Sequence, residues 1–187
     1  MGFSPNLFEF FVGPDLRNID LSKTVVLSKD RRSVVGIKSP NVLKIARKHY
    51  NCPYIKSVPF ENDGGEGSMG AHWERSTLMN EMMTASEITN SRMSEFTLAL
   101  MQDSGWYISN FEYSEHFTYG KNVGCRLNFD LDLDEFVRKG GIIANLTYMK
   151  SQCSEKFSRG CFYDYTHQGL CLKDSFMVKN ENNMLQD

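Results

Sequence analysis

Between Gly67 and Ala85 the chain reads GSMGAHWERSTLMNEMMTA. One imidazole, His72, follows a glycine-rich loop, and Met83 stands eleven residues further on. Histidine nitrogens bind zinc, and a hydrolytic zinc site needs three protein ligands with a fourth position left open for water. Two of those ligands commonly come from H-E-x-x-H on a helix, whose glutamate also serves as general base. No H-E-x-x-H occurs in the 187 residues. Taken alone, His72 reads as a surface histidine and Met83 as a core methionine like Met79, Met82, Met93 and Met101. One imidazole is not a metal cage.

Other chemistry-bearing residues are weaker. Glu74, Glu81 and Glu95 could be considered as bases, but no second or third ligand would hold any of them against a metal. His49 lies in a lysine- and arginine-rich helix end and is expected to face solvent, where a cation suits the helix C-terminus. His116 and His167 lie in polar surroundings and read as structural or exposed. No G-x-S-x-G occurs, which argues against a serine hydrolase. The five cysteines, Cys52, Cys125, Cys153, Cys161 and Cys171, form no C-x-x-C pair and read as structural. The last three are packed within nineteen residues, as in extracellular modules, and Asn145-Leu146-Thr147 is a glycosylation sequon. Together these favour an oxidising compartment, and the odd count leaves one thiol without a partner.

The elements around these residues are legible in part. Phe3, Leu7, Phe8, Phe10, Phe11 and Val12 form an apolar cluster ended by Gly13-Pro14. Residues 24–27 and 33–37 read as two strands around the polar turn 29–32. Ser39-Pro40 predicts a helix start, with serine as cap and proline in the first turn, and the helix should stop near Asn51-Cys52-Pro53. Residues 61–70 carry four glycines and must be a loop. A second helix is predicted over 92–102 by Met93, Phe96, Thr97, Leu100 and Met101, with Gly105 as its stop. Trp73 and Trp106 bracket that block and are expected to pack rather than bind. After Cys125, leucine and phenylalanine alternate with Asn128, Asp130, Asp132 and Asp134, a pattern suited to an exposed strand.

A net charge of −2 gives no electrostatic case for nucleic acid or for an anionic membrane surface. No apolar run approaches the roughly 20 residues needed to span a bilayer. The opening MGFSPNLFEFFVG is a poor signal peptide, and the polar ending cannot be an anchor signal. Any secretion or membrane association would therefore depend on segments outside this chain.

Taken in order, these segments resemble leishmanolysin-like zinc metallopeptidases, a metzincin family. The opening Met1-Gly2-Phe3-Ser4 resembles the stretch just after H-E-x-x-H in that family, LKIARKHYNC (43–52) the segment ahead of its third ligand, and NEMMTA its Met-turn. SEFTLALMQDSGWY (94–107), YGKNVGC (119–125) and CFYDYTHQGLC (161–171) continue the likeness, whereas 126–150 departs from it. The resemblance implies that Met1 is internal to a longer protein, with two ligands and the general-base glutamate upstream. Gly2 would end the active-site helix, His72 would be the third zinc ligand, Met83 the Met-turn methionine, and Cys52 would pair with Cys125. It implies an α+β fold, with residues 1–127 the C-terminal part of the catalytic domain and 128–187 a divergent cysteine-rich region. One zinc ion, peptide or protein substrates, and an extracellular or cell-surface parent are implied by the same likeness. This chain by itself should be inactive. Without the active-site helix, apolar surface around Phe3, Phe8 and Phe11 is expected to be exposed. The competing reading is a non-catalytic adhesion or interaction module, or a relic gene fragment.

Overall fold

The computed structural model describes residues 3–27, 34–62, 65, 67–85 and 90–125, together with short backbone segments at 130–131, 159–161 and 168–170. Gly2, His167, Asn145, Cys153 and Cys171, the turn at 29–32, and most of 126–150 lie outside the described residues. Only the backbone is described at Cys161.

The chain opens with a 3-10 helix at Pro5–Phe10, whose proline sits in the first turn. Phe8 and Phe11 turn inward and are fully buried. Phe8 stacks on Phe60 at 5.3 Å, and Phe11 meets Trp106 edge-on at 5.4 Å. The expectation of exposed surface around these two rings is therefore corrected. The chain closes over them, and Leu7 and Phe10 point outward instead. Phe3 is half-buried against Phe60 and Trp73.

A one-turn helix α1 (Leu21–Thr24), capped by the Asp20 carboxylate on Ser22 N, leads into β1 (Val25–Leu27). β2 (Val34–Ile37) and β3 (Ile55–Pro59) lie on either side of α2 (Pro40–Tyr50) in sequence. With β4 (Asp130–Leu131) they form an antiparallel sheet in the order β1-β2-β3-β4. Val25 pairs with Ile37, Ile37 with Val58, and Ile55 with Leu131. That register turns Val25, Ile37, Ile55 and Val58 into the core. The acidic alternation after Cys125 is described only at Asp130 and Leu131, which do form a strand. A separate antiparallel pair, β5 (Arg159–Cys161) and β6 (Gln168–Leu170), occurs near the end of the chain.

α2 packs against α4 (Glu95–Asp103), with the short α3 (Arg75–Leu78) between them in sequence. Ser39 does precede α2, but its hydroxyl does not cap the helix. It donates to Asp103 Oδ2 at 2.6 Å, and Asp103 takes the first-turn amides of Asn41 and Val42 at 2.9 and 3.0 Å. The cap thus comes from the end of another helix. At the other end, Asn51 adopts φ 56°, the left-handed conformation that closes a helix. The carbonyls of His49 and Tyr50 accept from Asn122 N and Gly124 N at 2.9 and 2.8 Å. Cys52 and Cys125 then join in a disulfide with Cα atoms 5.1 Å apart, the pairing that the resemblance implies. Gly105 ends α4 at φ +73°, and a Cβ there would run into the Val12 carbonyl oxygen. Helices and an antiparallel sheet thus share one core, the expected α+β class, centred on Tyr50, Phe60, Trp73, Leu78, Phe96 and Tyr119. Among the described residues no helix is long and apolar enough to cross a membrane.

Candidate metal-ligand site

His72 stands on a continuation of the sheet. Beyond β3 the chain runs through Phe60 and Glu61, turns through the glycine-rich loop, and returns alongside itself. Glu61 N donates to the His72 carbonyl at 2.9 Å, Gly70 N to the Glu61 carbonyl at 2.8 Å, and Phe60 bridges Trp73. Extended backbone sends successive side chains to opposite faces. Trp73 goes into the core, fully buried against Phe60 at 5.2 Å, so His72 is turned the other way and is half-exposed. Its Nδ1 lies 3.2 Å from the Ser68 carbonyl. A carbonyl can only accept, so Nδ1 carries the proton in this bond, and in the neutral ring the Nε2 lone pair is then free. Among the described residues Nε2 has no hydrogen-bond partner.

On the other side of Trp73 lies the turn containing Met83. Thr84 N donates back to the Glu81 carbonyl at 3.2 Å, closing a four-residue turn over 81–84. The Met83 carbonyl accepts the Trp73 amide at 2.9 Å, and Trp73 bridges Thr84 in parallel. The residue after His72 and the turn methionine are therefore neighbours across a single backbone hydrogen bond. Met83 itself is half-buried against the core.

Glu81 holds that turn from within. Its carboxylate is 1% exposed, with Oε2 accepting from Met83 N at 2.6 Å. Oε1 accepts from Ser94 N, Ser94 Oγ and Thr97 Oγ1 at 3.2, 3.0 and 2.5 Å. Burial pushes its carboxyl above the usual carboxylate range, against the pull of those four donors. Sequence reasoning reaches Glu81 only as a discarded base. The one local signal is an acid two residues ahead of Met83, able to take that residue's amide as turn-forming side chains do.

His49 is corrected as well. It is half-buried, donates from Nε2 to the Tyr119 carbonyl at 2.8 Å, and packs edge-on to Tyr50 and Phe96 at 4.7 and 5.5 Å. Burial lowers its pKa below the usual 6.5, so it does not serve as a solvated cation. His116 is exposed, and Trp106 is half-buried, its indole donating to the Phe10 carbonyl at 3.1 Å. The described residues include no group of three or more His, Cys, Asp or Glu side chains able to hold a metal ion. They supply one imidazole whose Nε2 has no hydrogen-bond partner among them, and by themselves do not make up a metal site.

The leishmanolysin family profile matches residues 1–177, and the chain belongs to that family. It is 41% identical over 87 residues to a leishmanolysin-like peptidase of Drosophila melanogaster, covering 46% of this chain and 13% of that protein. It is 36% identical over 93 residues to a leishmanolysin homolog of Crithidia fasciculata, covering 50% of this chain and 14% of that one. Likeness to the ciliated left-right organizer metallopeptidase of Mus musculus is lower, at 28%, but extends over 186 residues, 94% of this chain and 24% of the relative. The chain thus spans between about an eighth and a quarter of the length of these relatives.

Proposed function

We propose that this chain is the part of a zinc metalloendopeptidase that carries the third metal ligand, His72, and the Met-turn methionine, Met83. Membership of a metallopeptidase family implies a metal cofactor and peptide or protein substrates. The single observation that supports the finer reading is the Trp73 amide bonded to the Met83 carbonyl at 2.9 Å, which joins the His72 strand to the methionine turn. The tautomer of His72 agrees with it. Ligating imidazoles characteristically give their second ring N–H to a backbone carbonyl, which fixes the ring and frees the other nitrogen. Zinc, when bound, would supply an activated water for peptide hydrolysis. The residues of this chain would hold the imidazole in one tautomer and one orientation, and keep the floor turn fixed beside it.

Two more ligands and a general base would come from outside the described residues. Phe3 rests edge-on at 5.1 Å against Trp73, the residue after His72, and Gly2 would be the exit of an active-site helix. A parent in a secretory or cell-surface setting accords with the Cys52–Cys125 disulfide. Residues 1–127 would then belong to the catalytic domain and 128–187 to a separate cysteine-rich region.

Metal analysis by mass spectrometry tests this. The 187-residue chain alone should retain no stoichiometric zinc after dialysis. Joined to an upstream H-E-x-x-H segment of a relative, it should hold one zinc per chain and cleave a peptide, and His72→Ala should lose both. Tight zinc in the isolated chain, or an unaffected His72→Ala, would refute the reading. The complete burial of Phe8 and Phe11 favours a second reading, a self-sufficient non-catalytic interaction module. Failure of the joined protein to gain zinc would select it.

A further inference from the structure

Among the described residues, Glu81 is the buried carboxylate at which the Met83 turn and α4 meet, linked through Thr97 to Trp73 of the His72 strand. We propose that Glu81 is the positioning residue of this site, a carboxylate that clamps the Met83 turn to α4 and, through Thr97, to the indole of Trp73, so that His72 is held in place. This rests on the reading of His72 as a metal ligand.

An ionised carboxylate only accepts, with room for about four hydrogen bonds, and four donors converge on this one: Met83 N, Ser94 N, Ser94 Oγ and Thr97 Oγ1. With its proton committed to Glu81, the Thr97 hydroxyl has a lone pair for Trp73 Nε1, which donates to it at 3.0 Å. The backbone amide of the same tryptophan goes to the Met83 carbonyl. The residue after His72 is therefore gripped at both main chain and side chain, and both grips lead back to Glu81. Among the described residues no cation pairs with it. Arg92, its partner in a backbone bridge, gives its guanidinium to Glu115 at 3.2 Å. Burial holds the Tyr50 hydroxyl of α2 well above its ordinary range, and the charge of Glu81 adds to that shift. An apolar residue could fill this space without burying a charge, but it would leave the amides of Met83 and Ser94 unanswered. A role in orientation explains the acid where packing does not.

Two variants of the full chain test the clamp. In Glu81→Gln the amide offers one acceptor and one donor, so in either orientation an NH2 faces Met83 N–H or the Ser94 and Thr97 donors. Hydrogen exchange followed by NMR should show protection at the Met83 and Trp73 amides falling roughly tenfold or more, while α2 amides such as Ala46 and Tyr50 keep theirs. Thr97→Val leaves the Glu81–Met83 bond and cuts only the indole link. It should shift the Trp73 indole N–H resonance and loosen Trp73 without loosening Met83. A loss spread evenly over α2 and β3, or an unmoved Trp73 in Thr97→Val, overturns the proposal. If Glu81→Gln does not fold, Thr97→Val alone decides. These readouts need no metal, so failure of the clamp is distinguishable from failure of zinc binding in His72→Ala.

Discussion

Replacing Asp103 measures how far one helix depends on another for its cap. In the structure Asp103 Oδ2 receives Ser39 Oγ at 2.6 Å, Asn41 N at 2.9 Å and Val42 N at 3.0 Å, while Oδ1 receives Asn41 Nδ2 at 2.6 Å. Asp103→Ala strands two first-turn amides and a hydroxyl. Losing an N-cap costs about 1 kcal/mol, and each buried donor left unpaired adds about 1–3 kcal/mol. Asn41 is only half-buried, so water can answer part of the deficit. The expected total is about 3 kcal/mol by these magnitudes. Asp103→Asn should behave differently. Its carbonyl can keep the Oδ2 contacts, its NH2 then meets the Asn41 side chain, and that amide can reverse to present its oxygen. The remaining loss is the negative charge at the α2 N-terminus, about 0.5–1 kcal/mol. Urea unfolding followed by circular dichroism, with the disulfide intact, should therefore rank wild type, Asp103→Asn and Asp103→Ala in that order. An alanine variant within about 0.5 kcal/mol of wild type, or an asparagine variant as unstable as the alanine one, would refute the capping argument.

The disulfide, a buried histidine and a helix-ending glycine each carry a further expected outcome. Removing the Cys52–Cys125 bridge, which spans a sequence separation of 73, should cost about 4 kcal/mol under the chain-entropy model; a midpoint unchanged in the double alanine variant would contradict it. Because burial holds His49 below the usual 6.5, the unfolded chain takes the proton first. Its contribution is full above about pH 6.5 and is lost as pH falls through the folded value, so His49→Gln should flatten the stability profile between about pH 7 and 5. An identical slope in the variant would show that His49 is not the source. Gly105→Ala forces a Cβ into the Val12 carbonyl at a positive φ, and should lose about 3 kcal/mol or more. A thermal melt within about two degrees of wild type would rule that out.

The features legible in the sequence are local. Ser39-Pro40 marks the start of α2, Gly105 the end of α4, and the glycines of residues 61–70 a loop, because each obeys a rule about neighbours along the chain. Capping by Asp103 is invisible there, since no local rule looks 62 residues ahead. His49 misleads for the same reason. Its basic neighbours suggest water, whereas Phe117 lies 5.3 Å from its ring and the carbonyl of Tyr119 accepts its Nε2–H. Phe8 and Phe11 look bare in the sequence, but Phe60 and Trp106 come from far along the chain to cover them. The Cys52–Cys125 pairing is implied by family likeness, not by spacing. At the candidate site, family likeness picks out His72 and Met83, but the sequence does not reveal their junction through Trp73 or the buried acid behind it.

The second helix is a strut pinned at both ends by later parts of the chain: Asp103 at its start, and Asn122, Gly124 and Cys125 at its finish. A growing polypeptide emerging from the ribosome cannot secure this strut when its own eleven residues appear. It must wait for some seventy-five more to clear the exit tunnel, because long-range closures form only once their distant partners exist. Nascent chains halted near residue 100 should accordingly be cut readily within 40–50 by protease, and those extended well past 125 should resist.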